Sequence, residues 1–237
     1  MNQHPPHPAC CSPLQDHWPL PLALPGVRLL STRFDPERLD PEDFDRWGLP
    51  AMRAVSKRQT EFLAGRICAY EALSRVTGVP AIPAVAPDRS PIWPVGVVGS
   101  ITHGAGWAAV IAARNDQWRG LGLDVEKLIP AARADRLAEE ILTPQELQAC
   151  AGLDDTQRAL RVTLTFSIKE SLFKALYPLV KTRFYFHEAE LIHHGPDGHA
   201  RLRLLNELSS EWRTGTELEG QFVQFEDYLL SLVSIPA

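Results

Sequence analysis

The stretch FSIKESLFKALY, Phe166 to Tyr177, constrains this chain more than any other. At 100° per residue, Leu164, Ile168, Leu172, Ala175 and Leu179 line one side of a helix, while Phe166, Phe173 and Tyr177 line roughly the opposite side. A helix apolar on both sides is mostly buried. Glu170 nevertheless projects from the aromatic side, with Lys174 one turn further on. A carboxylate there is costly unless it is paired or holds a metal ion. An i,i+4 Glu170–Lys174 pair is one reading and a metal site the other; the helix alone leaves both open.

The chain around this helix has 237 residues, enough for one large domain or two small ones, and reads as α+β. Its net charge of −5 argues against a general nucleic-acid binder. Cys10, Cys11, Cys68 and Cys150 lack metal-ligand spacing and form no disulfide framework, which fits a reducing cytoplasm. There is no apolar run of membrane-spanning length and no basic-then-apolar export signal. Residues 1–26, rich in proline, read as an irregular lead-in, and the group His4, His7, Cys10 and Cys11 reads as a disordered tail before it reads as a weak metal site.

Val27 to Thr32 is expected as the first strand, and Asp35 to Gly48 as short helical turns and loop. Ala51 to Thr77 is expected as a long helix, with Pro50 in its first turn and Gly78 ending it. Arg66 falls inside its apolar stripe and Arg58 at the edge, so Arg66 is a buried ion pair, a side chain snorkelling to the surface, or a guanidinium facing a ligand phosphate. After a proline-rich connector, Val95 to Ile101 and Gly106 to Ala113 predict a β-hairpin with Thr102 to Ala105 as its loop. Trp118 to Val125 is a further strand, where Gly120 and Gly122 permit close backbone approach.

Two short helices follow, Ala131 to Leu142 and Pro144 to Ala151, the second opened by Thr143 and Glu146 in capping-box spacing. The organising helix runs from Asp154 to Tyr177 and is expected to break at Pro178. Strands then follow at Arg183 to His193, His199 to Leu205, Gln221 to Glu226 and Tyr228 to Ile235. The change of pattern near Asn115 divides the chain into halves, residues 27–115 and 116–237.

Asp124 and Glu126 alternate with Val125, so both carboxylates lie on one face at a strand end. With Glu170 they make a three-carboxylate set of the hard oxygen type that Mg²⁺ prefers in phosphate chemistry. His103 lies among Ser100, Thr102, Gly104 and Gly106, small residues that leave N–H groups and hydroxyls open to phosphate oxygens. Arg58, Arg66 and Lys174 would complete a cationic set for a multiply charged ligand.

GSITHGAGWAAV, GLGLDVE and FSIKESLFKALY, in this order and spacing, resemble the three motifs of the 4′-phosphopantetheinyl transferases. KRQTEFLAGR resembles their N-terminal coenzyme A-binding helix, and DRSPIWP the turn before the histidine motif. The resemblance is to the large group typified by the surfactin-type enzymes and enterobactin synthetase component D, nearest to the latter as found in pseudomonads. It spans roughly Val27 to the C-terminus.

The resemblance implies a monomer of two similar, pseudo-symmetric α+β halves with the site between them. Asp124, Glu126 and Glu170 would hold Mg²⁺. Thr102 and His103 would contact the coenzyme A phosphates, with Ser100 and Ile101 lining that loop. Arg58, Arg66 and Arg89 would serve the 3′-phosphate and adenine end, and Lys174 the diphosphate. Three positions depart from the family pattern: Arg89-Ser90-Pro91 stands for Gly-Lys-Pro, Phe166 for tryptophan, and Thr102 for serine. The implied reaction moves the phosphopantetheine arm of coenzyme A to a serine of an acyl, peptidyl or aryl carrier protein. Glu170, directly or through water, would be the base, and Lys174 would stabilise the leaving phosphate. Such carriers are typically acidic, as is this chain, so recognition would rest on a local patch. The rival reading is a non-catalytic coenzyme A- or nucleotide-binding subunit of a synthetase complex, for which a complete carboxylate set has no use.

Overall fold

The computed structural model describes residues 5–237. In chain order its elements are β1 (Gln15–Asp16), β2 (Arg28–Arg33), α1 (Glu42–Arg46), α2 (Ser56–Thr77), β3 (Ala84–Val85), β4 (Pro91–Ile92), β5 (Val97–Gly104), β6 (Trp107–Arg114) and β7 (Trp118–Lys127). There follow α3 (Ala131–Ile141), α4 (Pro144–Ala149), α5 (Asp155–Val180), β8 (Ala189–His194), β9 (His199–Leu204), β10 (Glu217–Phe225) and β11 (Tyr228–Pro236). Two antiparallel sheets organise them, in the orders β1-β2-β6-β5 and β7-β11-β10-β9-β8.

The strand β6 is apolar on both faces because both are covered. Ala108, Val110 and Ala112 pack towards α2, whereas Ala109, Ile111 and Ala113 pack against Leu121, Leu123 and Val125 of β7. The other side of the second sheet is covered by α5, through Ile168, Leu172, Leu176, Leu229 and Val233. The layers therefore run helix, sheet, sheet, helix. Gly120 and Gly122 let α5 lie against β7: a Cβ on Gly122 would strike the Ser171 carbonyl, and one on Gly120 would lie 2.5 Å from that of Ala175.

Several expected boundaries shift for identifiable reasons. The helix α2 begins at Ser56 rather than Ala51, since the Gln59 side chain donates to the Met52 and Ala54 carbonyls and holds that segment outside the helix. Its end is as expected, at Gly78 with φ 76°. Pro178 does not break α5, which continues to Val180 and closes on Lys181, whose N–H donates to the Tyr177 carbonyl. Because Pro178 lies within the last turn, it removes one ladder bond and leaves little helix beyond it to disturb. The predicted strand Arg183–His193 is strand only from Ala189. Phe184 and Phe186 instead pack on Phe173 and Phe166 of α5, at centroid separations of 5.2 and 5.3 Å.

The lead-in is not a free tail from Pro5 onwards. Cys10, Cys11 and Leu20 are buried, β1 pairs with β2, and Gln221 makes two hydrogen bonds to the Leu22 backbone. His7 bonds the Cys11 and Ser12 carbonyls rather than gathering with thiols around a metal, and His4 lies outside the described residues. All four cysteines are free, and no helix among the described residues is long and apolar enough to cross a membrane.

Candidate active site between the two sheets

Where the two sheets meet, edge strand β5 lies beside edge strand β7, joined by side chains rather than by a ladder. The Leu123 N–H donates to Ser100 Oγ at 3.1 Å, and the Val125 N–H to Thr102 Oγ1 at 3.0 Å. This contact covers two otherwise open sheet edges. It also corrects one expectation: Thr102 and His103 belong to β5 and not to the hairpin loop, whose tip is Ala105-Gly106. Period-two alternation then separates their roles. Ser100 and Thr102 turn towards β7 and are buried, while Ile101 and His103 turn towards α2.

On that side Arg58 Nη1 donates to His103 Nε2 at 2.9 Å and lies 3.3 Å from Glu61 Oε2. Burial lowers the His103 pKa, opposed by the Glu61 carboxylate and assisted by the Arg58 and Lys174 charges. Arg66, two turns along α2, is buried with its guanidinium 4.8 Å from the Phe62 ring centroid. It has no carboxylate partner among the described residues, and its Nε has no hydrogen-bond acceptor, so the buried ion-pair reading does not hold. Burial lowers its pKa to about 10.

Asp124 and Glu126 face α5 where the helix passes beyond the glycine contact. Lys174 reaches Asp124, not Glu170: its Nζ lies 2.6 Å from Asp124 Oδ1 and 3.1 Å from the Leu123 carbonyl. The i,i+4 Glu170–Lys174 pair is therefore absent among the described residues. Asp124 Oδ2 is buried without a partner there. Burial raises the Glu126 pKa to about 7, assisted by Asp124 and Glu170 and opposed by Lys174 and Arg133. Burial likewise raises that of Glu170, with Lys174 opposing and Asp124 adding. The Asp124 charge thus adds to the raised pKa of both Glu126 and Glu170, while its own Oδ2 stays unsatisfied.

Among the described residues the three carboxylates are not drawn together into a ready-made metal cluster. The orphaned oxygen, the mutual repulsion and the all-oxygen donor set nonetheless fit a hard divalent cation.

A cavity of about 410 Å³ opens beside these groups. Its walls are Ser100 and Ile101 of β5, Glu170, Lys174 and Tyr177 of α5, and Arg89 at the tip of the β3–β4 hairpin. Arg58, His103 and Arg66 are not on that wall. A second cavity of about 190 Å³ lies beyond Glu170 and Phe173, lined by Phe184, Tyr185 and Phe186.

Two features of α5 were not anticipated. Lys169 forms a buried ion pair with Glu146 at 2.7 Å, and Ser167 and Ser171 both bond Ser231 Oγ of β11. The i,i+4 spacing of the two serines was available as a signal, whereas nothing local to Lys169 marks Glu146 as its partner.

The fold is α+β, two antiparallel sheets covered by α2 and α5, with a cleft beside Glu170 and Lys174. The sequence model of the 4′-phosphopantetheinyl transferase N-terminal domain matches residues 50–113, and that of the 4′-phosphopantetheinyl transferase superfamily matches residues 120–233. Enterobactin synthase component D of Salmonella typhi is 39% identical over 166 residues, covering 68% of this chain and 67% of that protein. The protein of the same name from Escherichia coli O157:H7 is 39% identical over 163 residues, covering 67% and 74%. The 4′-phosphopantetheinyl transferase Svp of Streptomyces mobaraensis is 41% identical over 141 residues, 59% of this chain and 56% of that one. This chain belongs to the 4′-phosphopantetheinyl transferase superfamily.

Proposed function

We propose that this protein moves the 4′-phosphopantetheine arm of coenzyme A onto a serine of apo acyl, peptidyl or aryl carrier proteins, releasing adenosine 3′,5′-bisphosphate. We further propose that it does so with Mg²⁺, as a cytoplasmic monomer whose halves are residues 27–115 and 116–237. The observation that carries the reading is the buried, half-paired Asp124 facing Glu126 and Glu170 beside the 410 Å³ cavity. A binding-only subunit gains nothing from three mutually repelling carboxylates.

The cavity takes the nucleotide and diphosphate, with Ser100 and Ile101 on one wall and Arg89 on another. Arg58 and His103 form a polar pair at the outer end of β5, suited to the 3′-phosphate, and Arg66 supplies a further guanidinium on the same helix. The apolar recess beyond Glu170 accommodates the pantetheine arm. Glu170, with its raised pKa, takes the serine proton directly or through a water. The serine oxygen bonds to the β-phosphorus as the bridging P–O bond breaks, and Lys174 stabilises charge on the leaving phosphate. Asp124, Glu126 and Glu170 would hold Mg²⁺, which neutralises charge on the diphosphate when bound.

Purified protein, coenzyme A and Mg²⁺ are mixed with a panel of apo carriers from fatty-acid and siderophore synthesis, and the carriers are weighed. A gain of roughly 340 Da, the mass of the arm as a covalent modification, is expected. EDTA should abolish it, and light scattering should give one chain per particle. No gain on any carrier overturns the reading.

A further inference from the structure

The β3–β4 hairpin belongs to neither main sheet. Its two strands pair only with each other, Ala84 with Ile92 and Val85 with Pro91. Its base is fixed to the N-terminal half by Trp93, which packs over Gly99 of β5, where a Cβ would fall 2.8 Å from the indole. Its tip, Asp88-Arg89-Ser90, reaches towards the opposite half. Inside the tip, Asp88 Oδ1 accepts from Ser90 N–H at 3.0 Å and Ser90 Oγ at 2.7 Å, and Arg89 adopts the left-handed region at φ 71°. The other carboxylate oxygen, Oδ2, accepts from the Tyr177 hydroxyl of α5 at 2.7 Å. Among the described residues this is the one hydrogen bond between the hairpin and the C-terminal half.

Tyr177 is itself held in place. Its ring stacks on Phe173 at 5.1 Å and 19°, and the helix continues past it through Pro178 to Lys181. A helix ending at Tyr177 would leave that side chain on a fraying terminus. Tyr177, Asp88 and Arg89 all line the cavity, so this hydrogen bond ties the α5 wall to the hairpin wall that carries Arg89.

We propose that Tyr177 is a positioning residue for the nucleotide end of coenzyme A, acting through Asp88 to hold the hairpin tip as a wall of the cavity. Its hydroxyl is engaged by Asp88, so the effect falls on coenzyme A binding and leaves the chemical step alone. This rests on the transferase reading, and the test keeps the two separable.

Tyr177→Phe and Asp88→Ala are compared singly and together. Each single variant should raise the KM for coenzyme A about three- to ten-fold, the worth of one lost hydrogen bond to a charged group that remains solvated. Both kcat and the KM for the carrier should stay within about two-fold, and thermal melting of Tyr177→Phe should be unchanged. The double variant should be no worse than Asp88→Ala alone, since both substitutions break one clasp. Without ligand, amide hydrogen exchange at residues 86–90 should quicken in Tyr177→Phe. An unchanged KM for coenzyme A, equal losses in kcat and KM, or additive effects in the double variant would each overturn the proposal. If the wild-type protein modifies no carrier, the transferase reading fails while exchange at residues 86–90 still decides the clasp: unchanged exchange in Tyr177→Phe ends it.

Discussion

Two lysines on α5, five positions apart, each meet a buried carboxylate from another element, and the two pairs are built to opposite ends. Lys169 Nζ donates to Glu146 Oε2 at 2.7 Å and to the Ile141 carbonyl at 3.0 Å. Glu146 accepts further from the Leu191 N–H at 2.6 Å and the Thr143 N–H at 2.7 Å, which also makes it the partner in the capping box of α4. Both carboxylate oxygens are occupied. Lys174 instead shares Asp124 with nothing that completes it: Oδ2 stays buried and unpartnered among the described residues, with Glu126 and Glu170 adding charge of the same sign. A buried pair with every atom satisfied holds elements together, whereas one left incomplete stores unfavourable charge that a ligand can relieve. Arg66 extends the series to a buried cation with no carboxylate at all among the described residues.

The largest expected effect breaks the incomplete pair. Asp124→Ala and Glu170→Ala should each lower transfer by more than about a thousand-fold, the scale of losing charge stabilisation at a phosphoryl centre. Thermal melting of Glu170→Ala in EDTA should stay at or above the wild-type value, because that substitution removes repulsion. Asp124→Ala also breaks the ion pair to Lys174 and should melt somewhat lower while remaining folded. Glu170→Gln, which keeps shape and removes charge, should raise melting on its own. Near-normal turnover in either alanine variant would refute the metal assignment.

The complete pair should respond in the opposite sense. Lys169→Met strands a buried carboxylate, at a cost of roughly 3–5 kcal/mol, nearer the lower figure because two backbone N–H groups still serve Glu146. For a chain of this length that is a fall of about 6–20 °C in melting temperature. The kcat of the folded fraction should be unchanged. A variant that melts normally but does not turn over would erase the contrast between the two lysines.

Arg66→Met tests the third cation, keeping most of the stem while deleting the guanidinium. If Arg66 serves the 3′-phosphate, the variant folds normally and the KM for coenzyme A rises far more than that for dephospho-coenzyme A. A charge-assisted contact is worth on the order of 1.5–3 kcal/mol, or roughly ten- to a hundred-fold. A variant that unfolds easily and discriminates the two ligands as before would place Arg66 in the core, leaving Arg58 and His103 to hold the phosphate.

The reasons for what the sequence reveals of this contrast are physical. Period two placed Asp124 and Glu126 on one face, and the paired glycines Gly120 and Gly122 anticipated the close approach of α5 to β7. Those are local rules, and they survive folding. The partner of Lys174 was not legible, since the helix offered Glu170 one turn away while Asp124 lies 50 residues distant and is brought in only by packing. Thr102 and His103 read as a loop because they join two apolar runs, yet the extra length of β5 is stabilised by bonds to β7 that no local pattern records. Pro178 marks a helix end in general, but one so near the terminus removes little.

The smallest effect reads the incomplete pair by titration in the metal-free protein. Burial holds the Glu126 carboxyl at about 7 in the folded state, against 4.5 for a free glutamate. Between those values the native protein keeps a proton that the unfolded chain has released. Stability therefore falls as pH rises through that window, because the native state binds more protons there than the unfolded state. Melting measured in EDTA from pH 4.5 to 7.5 should decline gently, and Glu126→Gln should flatten the decline. Added Mg²⁺ should raise melting more at pH 7.5 than at pH 5.5, since protons compete for the same oxygens. A Glu126→Gln curve parallel to the wild type would show that the strain sits elsewhere among the three carboxylates.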